Sequence, residues 1–301
     1  MNEKALAALA EKLGCGVCEN EPLSAHTTFR TGGPCTCMIM PKSAEDLSQL
    51  VKFAAENGVR TLVMGKGSNM LCADEGFDGA VLLIGSDFSE ITMLDNCTIR
   101  AQAGAAMSRL CRVALDNGLS GLEFAYGIPG TVGGGIYMNA GAYGGEMKDV
   151  LVSVTAMDRN GELHTYTPAQ LELTYRRSRF SHTDEIIVSG DFKLAHGDKA
   201  KMNELMARRK DKQPLEYPNA GSTFKRPEGQ FAGKLIQDCG LRGATVGGAQ
   251  VSEKHCGFVI NKGGATSADI KELIAQIQKT VYEKTGFYLE CEVRIIPYKA
   301  D

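Results

Sequence analysis

Apolar residues recur at helical spacing over residues 2–13, 43–57, 106–117, 198–212 and 267–284, which predicts five amphipathic helices. Gly14, Gly58, Gly118 and Gly286 are stop signals just past four of them. Ser43 with Asp46, and Thr266 with Asp269, have the spacing of capping boxes. Short β-rich runs lie between the helices at 36–40, 60–64, 80–84, 97–103, 151–157, 186–194 and 287–296. The last run alternates, with Phe287, Leu289, Cys291, Val293 and Ile295 on one face and Glu290, Glu292 and Arg294 on the other.

Several strand pairs are joined by loops too short for a crossover helix, so a regular doubly wound parallel sheet does not fit. The pattern predicts an α+β protein. Over 196–222 a charged helix gives way to QPLEYPNAGS, which places a domain boundary near residue 196.

Composition narrows the class. A chain of 301 residues, 43% hydrophobic and 23% charged, has room for two or three globular domains. A net charge of -3 with no long basic run speaks against a nucleic-acid partner, and Arg208, Arg209 and Lys210 read as a solvated helix end. No apolar stretch approaches the roughly 20 residues of a membrane span. The early charges of MNEKALAALAEKLG do not fit a signal-peptide core, so a cytoplasmic protein with no membrane partner is expected.

Most of the ten cysteines sit singly in apolar strings, as Cys97, Cys111 and Cys291 do, which suits reduced thiols packed as small hydrophobes. Cys15-x-x-Cys18 followed by Cys35-x-Cys37 is loosely similar to a zinc ribbon, but CxC stands where the second knuckle needs CxxC. No metal is expected.

Chemistry enters with glycine. Residues 127–145, GIPGTVGGGIYMNAGAYGG, hold more glycine than a regular helix or strand tolerates, because each adds backbone entropy lost on folding. Glycines let backbone N–H groups approach a ligand and form a concave anion site, for which a pyrophosphate is the natural occupant. A flexible linker is the alternative, but Ile128, Val132, Ile136, Tyr137 and Met138 are apolar residues a linker would lack. A second loop, Gly65-Lys66-Gly67-Ser68-Asn69, follows the β-rich run RTLVM and could form the other side of the same cradle. Neither is a dinucleotide fingerprint or a P-loop.

Taken in order, HTTFRTGG (26–33), GKGSNML (65–71) and GIPGTVGGGIYMNAGAYGGE (127–146) resemble the UDP-N-acetylenolpyruvoylglucosamine reductases, flavoenzymes of the vanillyl-alcohol-oxidase type. The resemblance runs from about Pro22 to Pro297 and rests on several independent motifs. It implies a two-subdomain FAD-binding fold, residues 1–79 and 80–195, followed by an α+β substrate domain, residues 196–301. It implies noncovalent FAD held by Gly65, Gly67, Ser68 and Asn69 with Pro129, Gly130, Thr131, Gly133 and Gly134; His26 is not a covalent attachment site. NADPH would be the hydride donor, in two half-reactions with ping-pong kinetics, and the product would serve peptidoglycan synthesis.

The resemblance also assigns roles. In YRRSRF (175–180), Arg176 would hold the substrate carboxylate; a guanidinium forks naturally onto such a group, although three arginines in five residues also suit a solvated turn. In AGSTFKRP (220–227), Ser222 would donate the proton; an ST-turn is the plain alternative. In GFYLECEVRIIP (286–297), Glu292 would act with that serine. Lys225, Arg226, His255, Asn261 and Tyr175 would contact the UDP-sugar, and Lys212 is a further candidate for its diphosphate. Longer members carry a tyrosine-bearing insertion that closes over substrate. This chain resembles the compact subtype, in which Tyr175 could cover part of the site. Two rivals share these features: a flavin oxidase passing electrons to oxygen, and a noncatalytic flavin or sugar-nucleotide sensor.

Overall fold

The computed structural model describes residues 2–197 and 200–299. The chain divides into two compact units, Met1–Glu19 with Thr36–Lys66 and Gly79–Arg209, and Asn20–Cys35 with Gly67–Asp78 and Lys210–Asp301. Seven α-helices are described: α1 (Asn2–Lys12), α2 (Ala44–Glu56), α3 (Met107–Asp116), α4 (Val132–Tyr137), α5 (Ala200–Lys212), α6 (Ala232–Asp238) and α7 (Ser267–Thr285). Five match the predicted helices. The first two residues of the stretch predicted over 198–212 lie outside the described residues.

The first unit holds two sheets. One has four strands in the order Gly16–Glu19, Cys35–Met40, Phe77–Leu83, Thr61–Met64, the last two parallel. The other has five antiparallel strands in the order Leu163–Tyr166, Leu151–Met157, Ile186–Lys193, Thr98–Gln102, Ile91–Met93. Short connections between antiparallel neighbours confirm the α+β class. Leu47, Leu50 and Val51 of α2, Leu110 and Cys111 of α3, and Ile136 of α4 belong to one buried core with the sheet residues Ile39, Leu82, Ile99 and Phe192.

In the second unit, Thr245–Val246, Ala249–Val251 and Val259–Asn261 form an antiparallel sheet. Helix α7 buries Ile270, Leu273, Ile274, Ile277 and Val281, the i, i+3, i+4, i+7 stripe of an amphipathic helix. Its ends follow the expected chemistry. Thr266 and Asp269 make the full reciprocal capping box, and Gly286 closes the helix at φ 74°, where its N–H donates to the Tyr282 carbonyl. At α2 only half the box forms: Ser43 Oγ accepts from Asp46 N at 3.0 Å, while the Asp46 carboxylate takes Lys42 N.

Three expectations need correction. Residues 132–137 inside the glycine-rich segment are helical, because their glycines pack where side chains would not fit: a Cβ on Gly133 would lie 2.9 Å from Ala103 Cβ, and one on Gly135 3.0 Å from Met107 Sδ. Helix α6 has no predicted counterpart, since two turns carry too few apolar positions to show a period. The run 287–296 is a strand only at Arg294–Ile296, which pairs in parallel with Met70–Cys72. Its alternation fails there: Ile295 is 43% exposed and Ile296 is 6%.

Truncating Ile277, fully buried in the second core, should cost roughly 2–5 kcal/mol through lost transfer energy and an unfilled cavity. Urea unfolding of Ile277→Ala should show that loss in midpoint at unchanged slope; a midpoint within error of the parent chain would mean that α7 does not organise this core.

Candidate active site

Within the first unit, Gly65 of the shorter glycine loop meets the glycine-rich segment. A Cβ on Gly65 would stand 2.4 Å from Thr131 Oγ1, so only glycine lets the loop after Thr61–Met64 reach this threonine. Thr131 is the N-cap of α4, its hydroxyl accepting from Gly134 N at 3.4 Å. Gly133 turns its back on Ala103, whereas Gly134 has no atom but Thr131 Oγ1, at 3.6 Å, near its missing Cβ. Pro129 and Gly130 lead into this cap, with Gly130 O accepting from Met107 N at 3.1 Å. A glycine face left open beside a capped helix start is a place where a flat or anionic group can come against backbone.

The Arg176 turn is pinned to the same segment. Thr174 and Arg177 exchange two backbone hydrogen bonds, at 3.1 and 3.2 Å, and close a tight turn with Tyr175 and Arg176 at its tip. Arg176 has φ 55°, a conformation costly for a side-chain-bearing residue. Its Nη2 donates to Gly141 O at 3.1 Å, and its guanidinium lies 5.1 Å from the Tyr175 ring centre. Tyr175 is 48% exposed. Ser178 Oγ donates to Tyr137 O at 2.7 Å, and the buried Asn139 donates to Thr174 O at 3.0 Å. The other arginines serve elsewhere: Arg179 pairs with Glu185 at 3.0 Å and covers the Tyr166 ring, and Arg177 is exposed.

In the second unit, the segments of three predicted residues, Asn69, Ser222 and Glu292, come together. Phe224 bridges Cys291 in antiparallel fashion, so the segment carrying Ser222 runs alongside the one carrying Glu292. Thr223, fully buried, fixes the register: its carbonyl accepts from Glu292 N at 2.8 Å, its N–H donates to Gly257 O at 2.9 Å, and its hydroxyl accepts from Val259 N at 2.9 Å. Asn69 joins the group, its Nδ2 donating to Glu292 O at 3.1 Å and its carbonyl accepting from Arg294 N at 3.0 Å. The exposed Ser222 follows Gly221, whose φ of 78° turns the chain into this segment. Gly67, at φ 54°, could carry no Cβ because His26 O would lie 2.3 Å away, and Ser68 continues that loop toward Asn69.

The expected substrate contacts are more dispersed. Lys225 is bonded to Glu290, Arg226 lies 4.6 Å over the Phe231 ring, and Lys212 is exposed at the end of α5. Asn261 is used by the fold: it donates to Phe29 O at 3.0 Å and accepts from Gly263 N and Ala265 N. His255 accepts from Gly257 N at 3.1 Å through Nδ1 and packs edge-on to Phe258. Burial holds its imidazole below the ordinary value of 6.5.

Sequence motifs did not single out Asn139, Ser178 or Thr223. An asparagine among glycines, as in MNAGAYGG, signals a left-handed position, and Asn139 has φ 40°. Cys15, Cys35 and Cys37 are buried, and the acid and histidine cluster that could hold a metal among the described residues is Asp158, Glu162 and His164, which includes none of the cysteines.

Comparison with known proteins meets this geometry. An FAD binding domain model matches residues 35–167, and a model for the C-terminal domain of UDP-N-acetylenolpyruvoylglucosamine reductase matches 213–296. The fold is thus an FAD-binding fold followed by an α+β domain, and the protein is an FAD-dependent oxidoreductase. The UDP-N-acetylenolpyruvoylglucosamine reductase of Agathobacter rectalis is 48% identical, covering 98% of this chain and 99% of its own. That of Exiguobacterium sibiricum is 47% identical over the full length of both. The crystal structure of the Thermus caldophilus reductase superposes with a TM-score of 0.77 at 34% identity, covering 94% of this chain and 99% of its own. The chain belongs to the UDP-N-acetylenolpyruvoylglucosamine reductase family.

His255 supplies a pH test. A folded-state pKa depressed below the unfolded value contributes stability that is present above 6.5 and lost as pH falls through the folded value. The His255 imidazole should titrate below 6.5 by NMR, and stability should fall on acidification less steeply in His255→Gln than in the parent chain. A midpoint at or above the ordinary histidine value would refute the buried, neutral assignment.

Proposed function

We propose that this chain reduces UDP-N-acetylglucosamine enolpyruvate to UDP-N-acetylmuramate, with NADPH as hydride donor, in peptidoglycan precursor synthesis. The observation that carries the reading is the convergence of Asn69, Glu292 and the Ser222 segment through Thr223. A loop residue expected at the cofactor, a hydroxyl and a carboxylate are what reduction and protonation of one alkene require.

The residues present fit FAD, since Gly65, Gly67 and Gly133 permit approaches that a Cβ would block and Gly134 keeps an open face. Gly65, Gly67, Ser68, Asn69, Pro129, Gly130, Thr131, Gly133 and Gly134 hold it without a covalent bond. When bound, FAD would supply the two-electron redox chemistry that links NADPH to the enolpyruvyl group.

Arg176 grips the substrate carboxylate as negative charge builds on it, and the tight turn keeps the guanidinium from relaxing away. Ser222 delivers the proton to the neighbouring carbon, and Glu292 polarises that hydroxyl. Lys225 and Arg226 meet the diphosphate, Tyr175 covers the carboxylate end, and His255 and Asn261 shape the loops beneath the sugar. Residues 1–79 and 80–195 serve the flavin and 196–301 the sugar nucleotide.

We place the enzyme in the cytoplasm with no nucleic-acid partner. All ten cysteines are free, which suits a reducing compartment, and the net charge of -3 is unsuited to a polyanion. Among the described residues no helix is long and apolar enough to cross a membrane.

Anaerobic NADPH should bleach the flavin absorbance, and the enolpyruvyl UDP-sugar should restore it. Ser222→Ala should leave bleaching intact and slow restoration roughly 10²- to 10⁴-fold, the scale of a lost general acid. Recovery by oxygen alone would replace the reductase by an oxidase, and a colourless protein would remove FAD from the reading.

A further inference from the structure

Asn139 sits between the glycine-rich segment and the Arg176 turn, and its side-chain amide is fully engaged. Nδ2 donates to Glu146 Oε2 at 2.6 Å and to Thr174 O at 3.0 Å, while Oδ1 accepts from Lys148 N at 3.0 Å. A carboxylate on one side and a backbone N–H on the other leave the amide a single orientation. Its residue is 0% exposed and has φ 40°.

Thr174 O is the first carbonyl of the turn and also accepts from Arg177 N at 3.2 Å. Both its lone pairs are used, one to close the turn and one to tie it to Asn139. The remaining ties are Ser178 Oγ to Tyr137 O at the far end of the turn and Arg176 Nη2 to Gly141 O. Of these contacts, only that of Asn139 comes from a buried amide with all of its hydrogen-bonding groups committed.

We infer that Asn139 is a positioning residue: it locks the turn that presents Arg176, so that the guanidinium meets the substrate carboxylate without first being ordered. Asparagine suits the place because it tolerates a left-handed backbone and offers two donors and an acceptor at once. The inference rests on the reading of Arg176 as the carboxylate-binding residue. A misaligned clamp harms the step in which substrate is reduced and leaves the flavin's reduction by NADPH alone.

The test uses the flavin-loaded enzyme and four chains: the parent, Arg176→Ala, Asn139→Gly and the double variant. Glycine keeps the positive φ and removes only the side chain. Asn139→Gly should slow reoxidation by the enolpyruvyl UDP-sugar roughly 10- to 100-fold, with flavin bleaching by NADPH within about twofold of the parent. The double variant should lose no more than Arg176→Ala alone, because Asn139 acts through that arginine. An impaired Arg176→Ala beside an unimpaired Asn139→Gly, or losses that simply multiply in the double variant, would overturn the inference alone. An unimpaired Arg176→Ala would overturn the reading of the arginine and the inference with it. Should Asn139→Gly not fold, Asn139→Asp keeps the Lys148 acceptor and the backbone conformation while losing both donors, and the same outcomes decide.

Discussion

Glycine backbone packed against a neighbouring side chain, where no Cβ can stand, is the constraint on which the first unit's site region depends. Gly65 closes on Thr131 at a distance that alanine could not reach, and Gly133 does the same on Ala103. That contact keeps Thr131 in place, and its hydroxyl caps α4. From the end of α4 come Tyr137 O and Asn139, which take Ser178 and Thr174 on either side of the arginine turn. The guanidinium proposed to bind carboxylate is thereby three contacts removed from a glycine in another loop. A packing contact at that glycine therefore also acts on a guanidinium that it never touches.

The second unit reaches the same end by backbone pairing. Thr223 is buried with its N–H, carbonyl and hydroxyl each given a partner, and those partners lie on two segments, one at residues 257–259 and the other at Glu292. A fully satisfied buried polar group specifies one arrangement, since any slip would leave a desolvated donor or acceptor without a bond. Glu292 and the Ser222 segment gain their alignment from it. The serine is exposed and unremarkable as a side chain; its neighbour in sequence does the fixing.

The elements that rest on long periodic stretches were legible in the sequence, because the apolar stripe of α7 and its capping box are local signals. Helix α4 was not, since its glycines argue against a helix unless one knows that Ala103 and Met107 lie against them. The strand at 287–296 was half legible: the burial of Leu289 and Val293 follows alternation, but pairing to Met70–Cys72 exposes Ile295 and buries Ile296. The motifs pointed to Arg176, Ser222 and Glu292 only through resemblance, as neither serine nor arginine advertises a role by type. Asn139 and Thr223 escaped because their work is done by hydrogen bonds to residues 35 and 69 positions away in the chain.

Backbone strain offers an independent view of where this fold is under demand. Six non-glycine residues among those described have positive φ: Asn20, Arg30, Asn139, Tyr143, Glu172 and Arg176. Four of them, Arg30, Asn139, Tyr143 and Arg176, fall in the segments HTTFRTGG, the glycine-rich run and YRRSRF, which carry the family resemblance. Glycine would relieve the strain at each, and the chain uses glycine freely at neighbouring positions such as Gly32 and Gly144. Keeping side chains at these four places, at a cost of order 1–3 kcal/mol each, is explained if the side chains themselves are needed there. For Asn139 and Arg176 the hydrogen bonds identify that need as the joining of two loops and the aiming of a cation.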